Sequence, residues 1–228
     1  LFERLIVDDA MNVEKDEWKP ERYHEYGYFP GCVDFMDVEV KFTHLNKGDA
    51  DHASIAAASI KLLNYADIDP LILDMNVFKC SGHDQLWQGN LEVFDSLKEH
   101  NMRRLKESGI KIITCSCAEC YRTFAVDYDL PGTLGIKVEH ITQTLQGRGL
   151  KFKSPEGVTV AYHDPCRLGR MMGEYDAPRD LIQLVDGATM VELENNKERA
   201  LCCGVSSMMY CNDATKAVRR KRLDQGSD

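Results

Sequence analysis

No apolar run among the 228 residues approaches the ~20 needed to cross a bilayer as a helix. The chain is therefore not expected to span a membrane by itself. Positive charge is in deficit, with a formal net charge of −9. Nucleic-acid binding is not expected, because it usually needs a basic face to neutralise phosphates. The short run Arg219-Arg220-Lys221-Arg222 reads as the solvated face of a helix. No Gly-x-Gly-x-x-Gly phosphate loop is present, so no nucleotide site is inferred. No secretory leader is visible either, and vicinal and C-x-x-C cysteines favour metal or redox chemistry over a disulfide framework for the nine cysteines, so a reducing compartment, the cytoplasm, is expected.

The cysteines are instead grouped as ligands are. Cys202 and Cys203 are adjacent and precede Gly204. Neighbouring thiols do not easily clasp one ion but can bridge irons of a larger cluster. A lone cysteine stands 36 residues upstream in Tyr162-His163-Asp164-Pro165-Cys166. A similar series occurs earlier, with Cys32 in Tyr28-Phe29-Pro30-Gly31-Cys32, Cys80 in Lys79-Cys80-Ser81-Gly82-His83-Asp84, and Cys117 and Cys120 in Cys115-Ser116-Cys117-Ala118-Glu119-Cys120. The chain reads as a duplicated cysteine-rich unit. Cys211, and in part Cys115, read as small core residues, the common fate of a free cysteine.

A hydrophobic content of 43% suits one or two globular domains. Helix is expected over residues 51–64 and 90–107, the second ending at Ser108-Gly109. Strands are expected at Leu71-Ile72-Leu73, over residues 110–114 leading into the Cys115–Cys120 group, over 158–162 leading into Cys166, and over 189–193 after a helix near 179–185. This alternation predicts an α/β fold with parallel strands, whose carboxyl ends are where ligands gather. The Gly-rich stretch from Gly147 to Gly157 is expected to separate a first unit, residues 28–150, from a second, 151–228, with residues 1–27 as a lead-in from a preceding module.

Taken jointly, Phe29-Pro30-Gly31-Cys32, Cys80-Ser81-Gly82-His83-Asp84, Cys117-x-x-Cys120, His163-Asp164-Pro165-Cys166 and Leu201-Cys202-Cys203-Gly204 resemble the cysteine-rich CCG domain of D- and B-type heterodisulfide reductase subunits. Relatives of that domain include the reductase-like cytoplasmic subunit of sulfite-reduction membrane complexes. The resemblance covers approximately residues 26–228 and implies two such units, in which a full set of lone Cys, Cys-Cys and C-x-x-C holds a noncubane [4Fe–4S] cluster that reduces disulfides. This chain departs from the pattern twice. Ser81 stands where the second member of the first pair would be, leaving Cys32, Cys80, Cys117 and Cys120, a set that suits a cubane [4Fe–4S] cluster. In the second unit Cys166, Cys202 and Cys203 would be three of five ligands, the terminal C-x-x-C being expected near position 240.

The resemblance assigns disulfide reduction to the second site, with Cys166, Cys202 and Cys203 as catalytic ligands and the first site relaying electrons. His163 and His83 are candidate proton donors to the released thiolate. A histidine that fixes a loop through hydrogen bonds is the commoner case. Lys79, Arg122, Arg167 and Arg170 flank the ligands and are candidates to ease reduction of an anionic cluster or to attract an acidic thiol. The Cys-x-x-Cys-x-x-Cys-x-x-x-Cys ferredoxin spacing is absent. The expected partners are thus a ferredoxin-like module, a membrane cytochrome or flavin subunit that also brings any membrane association, and a thiol or disulfide substrate. Two other readings stand beside this one. The chain could be the iron–sulfur subunit of a quinone-linked glycerol-phosphate or lactate dehydrogenase, or a docking module with zinc at the first site, since four cysteines also satisfy tetrahedral zinc.

Overall fold

The computed structural model describes residues 18–33, 53–204 and 212–225. The chain divides into two compact units, Leu1–Thr144 and Leu145–Asp228. Most of the expected lead-in, residues 1–17, and Cys211 lie outside the described residues.

The first unit is built on strands β1 (Tyr26–Phe29), β2 (Leu71–Ile72), β3 (Ile112–Cys115) and β4 (Lys137–His140). All pair in parallel, in the order β2-β1-β3-β4. Helices α1 (Ala53–Tyr65), α2 (His83–Trp87) and α3 (Leu91–Ser108) connect the first three strands, and α4 (Ala118–Arg122) and α5 (Leu130–Thr133) lead on to β4, which α6 (Ile141–Leu145) follows. Parallel strands are covered on both faces and read as apolar runs. Accordingly Tyr28, Phe29, Ile113 and Cys115 are almost wholly buried.

Helix α3 follows the helical period closely. Phe94, Leu97, His100, Asn101, Arg104, Leu105 and Ser108 are its buried positions, which return every three or four residues along one face. The helix stops at Gly109, whose φ of 70° supplies the left-handed cap. Between α4 and α5 a π-helical turn, Thr123–Asp127, sets Phe124 edge-on to both Phe29 and Tyr128 with ring centroids 4.9 Å apart. Each edge-to-face pair contributes about 0.5–1.5 kcal/mol beyond area burial.

The second unit pairs β5 (Phe152–Ala161) with β6 (Val185–Val191), again in parallel. Helices α7 (Gly169–Met172) and α8 (Asp176–Gln183) lie between them in sequence, and α9 (Asp213–Asp224) closes the described chain. The α/β class with parallel strands in two units holds. Boundaries moved in one place that matters. Residues 152–157, expected in the separator, belong to β5, and the register slips between Lys153 and Val158. A bulge is where a strand tolerates proline and glycine, here Pro155 and Gly157. Helix α9 has no buried residue, in keeping with a solvated face for Arg219–Arg222.

One buried clasp holds the second unit's loops. The Arg179 guanidinium donates to both carboxylate oxygens of Asp164, at 2.7 and 2.8 Å, and to both of Glu192, at 2.6 and 2.9 Å. Asp164 lies just after β5 and Glu192 just after β6, so one side chain ties the two strand exits together. Asp164 also accepts from the Lys197 backbone N–H at 2.7 Å. Replacing Arg179 by Met should cost about 3–5 kcal/mol, because it strands a buried carboxylate. Replacing Arg22, which pairs with Asp69 on the open surface, should cost no more than about 1 kcal/mol. Chemical denaturation of the two variants checks the contrast.

Candidate functional site

The topology brings Cys32, Cys80, Cys117 and Cys120 to one edge of one sheet. Cys32 follows β1 through the turn at Pro30-Gly31, and Cys117 and Cys120 follow β3, its neighbour, with Phe29 in register with Cys115. Cys80 arrives in the loop after β2, on the other side of β1. Three adjacent parallel strands thus deliver all four thiols to their carboxyl ends. Tyr28 on β1 strengthens the join, its hydroxyl 3.0 Å from Ser116 Oγ.

The Cys80 loop is clamped from below. Asn101 on α3 accepts from Lys79 N at 2.8 Å and donates to the carbonyls of Lys79 and Cys80 at 3.0 and 3.1 Å. It also donates to Tyr128 Oη at 3.2 Å, and Tyr128 in turn donates to the Ser81 carbonyl at 3.1 Å. Asn101 and Tyr128 are both completely buried. Sequence reasoning missed them. The available signal was an asparagine on the apolar face of a helix, four residues after Leu97.

Electrostatics mark the four thiols as one group. Burial, then the charges of Cys80 and Cys117, push the Cys32 thiol up to about 12. Burial also raises Cys80, opposed by the Gly82 N–H that donates to its sulfur at 3.5 Å. A hydrogen bond from Cys120 holds Cys117 down to about 7 against burial, and Cys120 is raised in turn. Cys115 points elsewhere in role: it is the last residue of β3, is fully buried, and its thiol is held protonated chiefly by burial. All eight described cysteines are unbridged.

His83 lies beside this group. Its Nε2 contacts Glu119 Oε2 and is 3.2 Å from Asp84 Oδ1. Burial opposes its charge, but the hydrogen bonds to Asp84 and Glu119 prevail and lift the imidazole to about 10. A buried imidazolium therefore faces Cys80 and Cys117, both of which it favours as thiolates. Glu119, inside the Cys117-x-x-Cys120 segment, was not singled out from sequence.

In the second unit Cys166 and the Cys202-Cys203 pair sit on two loops stitched together through backbone. His163 Nε2 donates to the Leu201 carbonyl at 2.8 Å, and Arg170 donates to the Ala200 carbonyl at 2.6 Å. Cys202 is exposed and Cys166 and Cys203 are half-buried. The four flanking cations fare differently from each other. Arg122 pairs with Asp127 at 2.5 Å and lies over the Trp87 ring, Arg167 is buried with Met171 Sδ 3.1 Å away, and Arg170 holds the Ala200 loop; Lys79 anchors through its backbone.

The two cysteine loops share one backbone device. Gly82 and Gly204 take φ values of 79° and 70°, and each donates its N–H to the sulfur two residues earlier, Cys80 at 3.5 Å and Cys202 at 3.4 Å. Gly204 is constrained further, since a Cβ there would lie 2.6 Å from the Thr215 carbonyl oxygen of α9. Cys-Ser-Gly and Cys-Cys-Gly are thus two copies of one turn.

Comparison with known proteins agrees with this duplication. The Cysteine-rich domain family, CCG, matches residues 26–125 and again 160–227. The chain belongs to that family. More particularly, it is 33% identical over 174 residues to the D-type subunit of the dihydromethanophenazine:CoB–CoM heterodisulfide reductase of Methanosarcina barkeri, covering 72% of this chain and 42% of the relative. The "Probable iron-sulfur-binding oxidoreductase FadF" of Bacillus subtilis is 32% identical over 213 residues, 89% of this chain and 30% of the relative. The EtfAB:quinone oxidoreductase of Syntrophomonas wolfei is 30% identical over 203 residues, 87% and 26%. The chain spans less than half the length of each of these relatives. Among the described residues no helix is long and apolar enough to cross a membrane.

Two outcomes are expected. Gly204→Ala should destabilise the protein by about 1–3 kcal/mol through strain at a positive φ, with added cost from the Thr215 contact, and denaturation reads it. For His83, whose folded pKa is raised from 6.5 to about 10, the stabilisation is fully present below pH 6.5 and is lost as pH rises through 10. The stability difference between wild type and His83→Gln should shrink across that window, which thermal unfolding against pH measures.

Proposed function

We propose that this chain is an iron–sulfur electron-transfer and disulfide-reducing part of a larger redox complex. The observation that carries the reading is the convergence of four thiols, Cys120 buried and Cys32, Cys80 and Cys117 half-buried, at the carboxyl edge of the first sheet, repeated in backbone form by the Cys-Cys-Gly turn of the second unit. Its relatives, by name, are oxidoreductases or their subunits.

Four thiols in the first unit suit a four-iron cluster, and a relative named as iron–sulfur-binding supports a cluster there over a zinc ion. Tetrahedral zinc with bonds of ~2.3 Å draws its sulfurs to within about 4 Å of one another. A four-iron cluster is larger than an ion and keeps its thiolates further apart. Cys32, Cys80, Cys117 and Cys120 are accordingly assigned to a cubane [4Fe–4S] cluster, and Cys166, Cys202 and Cys203 to part of the ligand set of a noncubane one. Bound there, such clusters supply single electrons and, in the open form, an iron able to take a substrate sulfur.

The residues of the chain then divide the labour. In the first unit burial shields the thiolates, while Gly82 N–H and the His83 imidazolium offset their charge. In the second, the exposure of Cys202 leaves room for a substrate disulfide to approach. Reduction of that disulfide takes two electrons and two protons, the electrons entering from a partner such as a ferredoxin-like, cytochrome or flavin subunit. His163 spends its Nε2 proton on Leu201, and burial lowers its pKa, so its Nδ1 is a poor proton source near neutral pH. We assign it to positioning the Cys202 loop.

A second reading has one observation in its favour: a relative named as a quinone oxidoreductase. In that case the same clusters pass electrons toward quinone, as in a quinone-linked dehydrogenase, without disulfide chemistry.

Iron, zinc and acid-labile sulfide in the complete natural protein, purified anaerobically, test the cofactors. About eight irons with matching sulfide are expected from two four-iron sites, falling by about half in Cys32→Ala or Cys203→Ala. Four irons with one zinc would make the first site structural, and zinc alone would end the redox reading. Disulfide turnover that survives when quinone reduction is absent separates the two activities.

A further inference from the structure

Ser81 occupies the position that Cys203 holds in the second unit, and a serine there reads at first as a ligand lost. Its surroundings say otherwise. The side chain is completely buried, which is unfavourable for a hydroxyl without a partner. Its Oγ lies 3.4 Å from Cys120 Sγ and 3.5 Å from His83 Nδ1, bridging the two. Beyond the ring, His83 Nε2 meets the carboxylates of Asp84 and Glu119. A carboxylate only accepts, so Nε2 carries a proton, and a ring charged by two acids also carries one at Nδ1. The Nδ1–H then points at the Ser81 oxygen, and the serine's own proton is left for the sulfur. The backbone is fixed as well, since Tyr128 holds the Ser81 carbonyl at 3.1 Å and Asn101 holds the carbonyl of Cys80 at 3.1 Å.

We propose that Ser81 sets the reduction potential of the first site by donating a hydrogen bond to the sulfur of Cys120, with the His83 ring polarising the hydroxyl from behind. The inference rests on the cluster assignment proposed above and adds a residue that is not a ligand. Hydrogen bonds to ligand sulfur stabilise the more negative, reduced cluster and raise its potential. The contact falls on Cys120, which shares the C-x-x-C segment with Cys117, so one hydroxyl acts on the ligand pair that β3 delivers. Placing a second cysteine at this point would remove that donor and add negative charge. The exchange of Cys for Ser thus separates the two units by electronic character as well as by ligand count.

The test is an EPR-monitored redox titration of the anaerobically purified complete protein as wild type, Ser81→Ala and Ser81→Thr, with iron, zinc and sulfide measured on each sample. Ser81→Ala should retain its iron and sulfide and be harder to reduce. The reduced-to-oxidised ratio of the first cluster at fixed poise should fall about tenfold, the effect of a hydrogen bond worth ~1.4 kcal/mol to the charged state, equivalent to about 59 mV for one electron. Ser81→Thr keeps the hydroxyl and should recover most of that shift. An unmoved potential in Ser81→Ala with its full iron content overturns the proposal. Loss of iron and sulfide from Ser81→Ala overturns it too, by making the hydroxyl a ligand or a scaffold. Zinc in the first site of the wild type is a different failure, because it removes the cluster assignment itself.

Discussion

Parallel strand direction is the constraint on which the first site depends. Four strands running the same way release their connections at the same edge, so residues scattered from Cys32 to Cys120 meet there without any need to be close in sequence. The central placement of β1, between β2 and β3, decides which loops meet. If β1 lay at the outer edge instead, Cys80 and Cys117 would no longer flank Cys32. The sheet's own stability comes from elsewhere, from Tyr28, Ile113, Leu97 and Phe124 packed out of water at about 1.5–3 kcal/mol for each full burial. The site itself works against folding, since burial opposes the ionisation of Cys32 and Cys80 that the proposed ligation requires.

That opposition separates the two units. In the first, buried and half-buried thiols are compensated by groups already fixed in the fold: a backbone N–H from Gly82, the His83 imidazolium and the Ser81 hydroxyl. In the second, the same glycine turn presents Cys202 to solvent, and the rigidity comes from the Asp164–Arg179–Glu192 clasp rather than from packed aromatics. A shielded centre suits electron passage and an open one suits substrate approach.

Much of this was legible in the sequence because it rests on local rules. The apolar run at Ile112-Ile113, the period of α3 and the Gly109 stop are each written within a few residues, and so is the placement of cysteines just past strand ends. The parts that were not legible depend on contacts across the fold. Asn101 and Tyr128 look like a helical polar residue and a core aromatic until the Cys80 loop is seen between them. Arg179 was read as the start of a helix, whereas its bonds to Asp164 and Glu192 span residues brought together only by β5 and β6. The Pro155–Gly157 stretch misled for a different reason. Proline and glycine punctuate chains, but a bulge in a parallel pair accommodates both, and Phe152 and Lys153 still find partners before it.

The arginines near the cysteines show why charge read from sequence is a weak guide to a folded site. Arg122, Arg170 and Arg179 all have guanidinium groups bound to protein carboxylates or carbonyls. Their charge is largely spent locally, and what they contribute is the shape of the loops. Compensation at the sulfur falls instead to short-range donors whose direction is set by backbone turns. Such donors need no reorganisation when charge arrives, and away from bulk water they act more strongly than they would in it. The first unit therefore controls its thiolates through geometry, and a single hydroxyl in place of a thiol is enough to change what that geometry delivers.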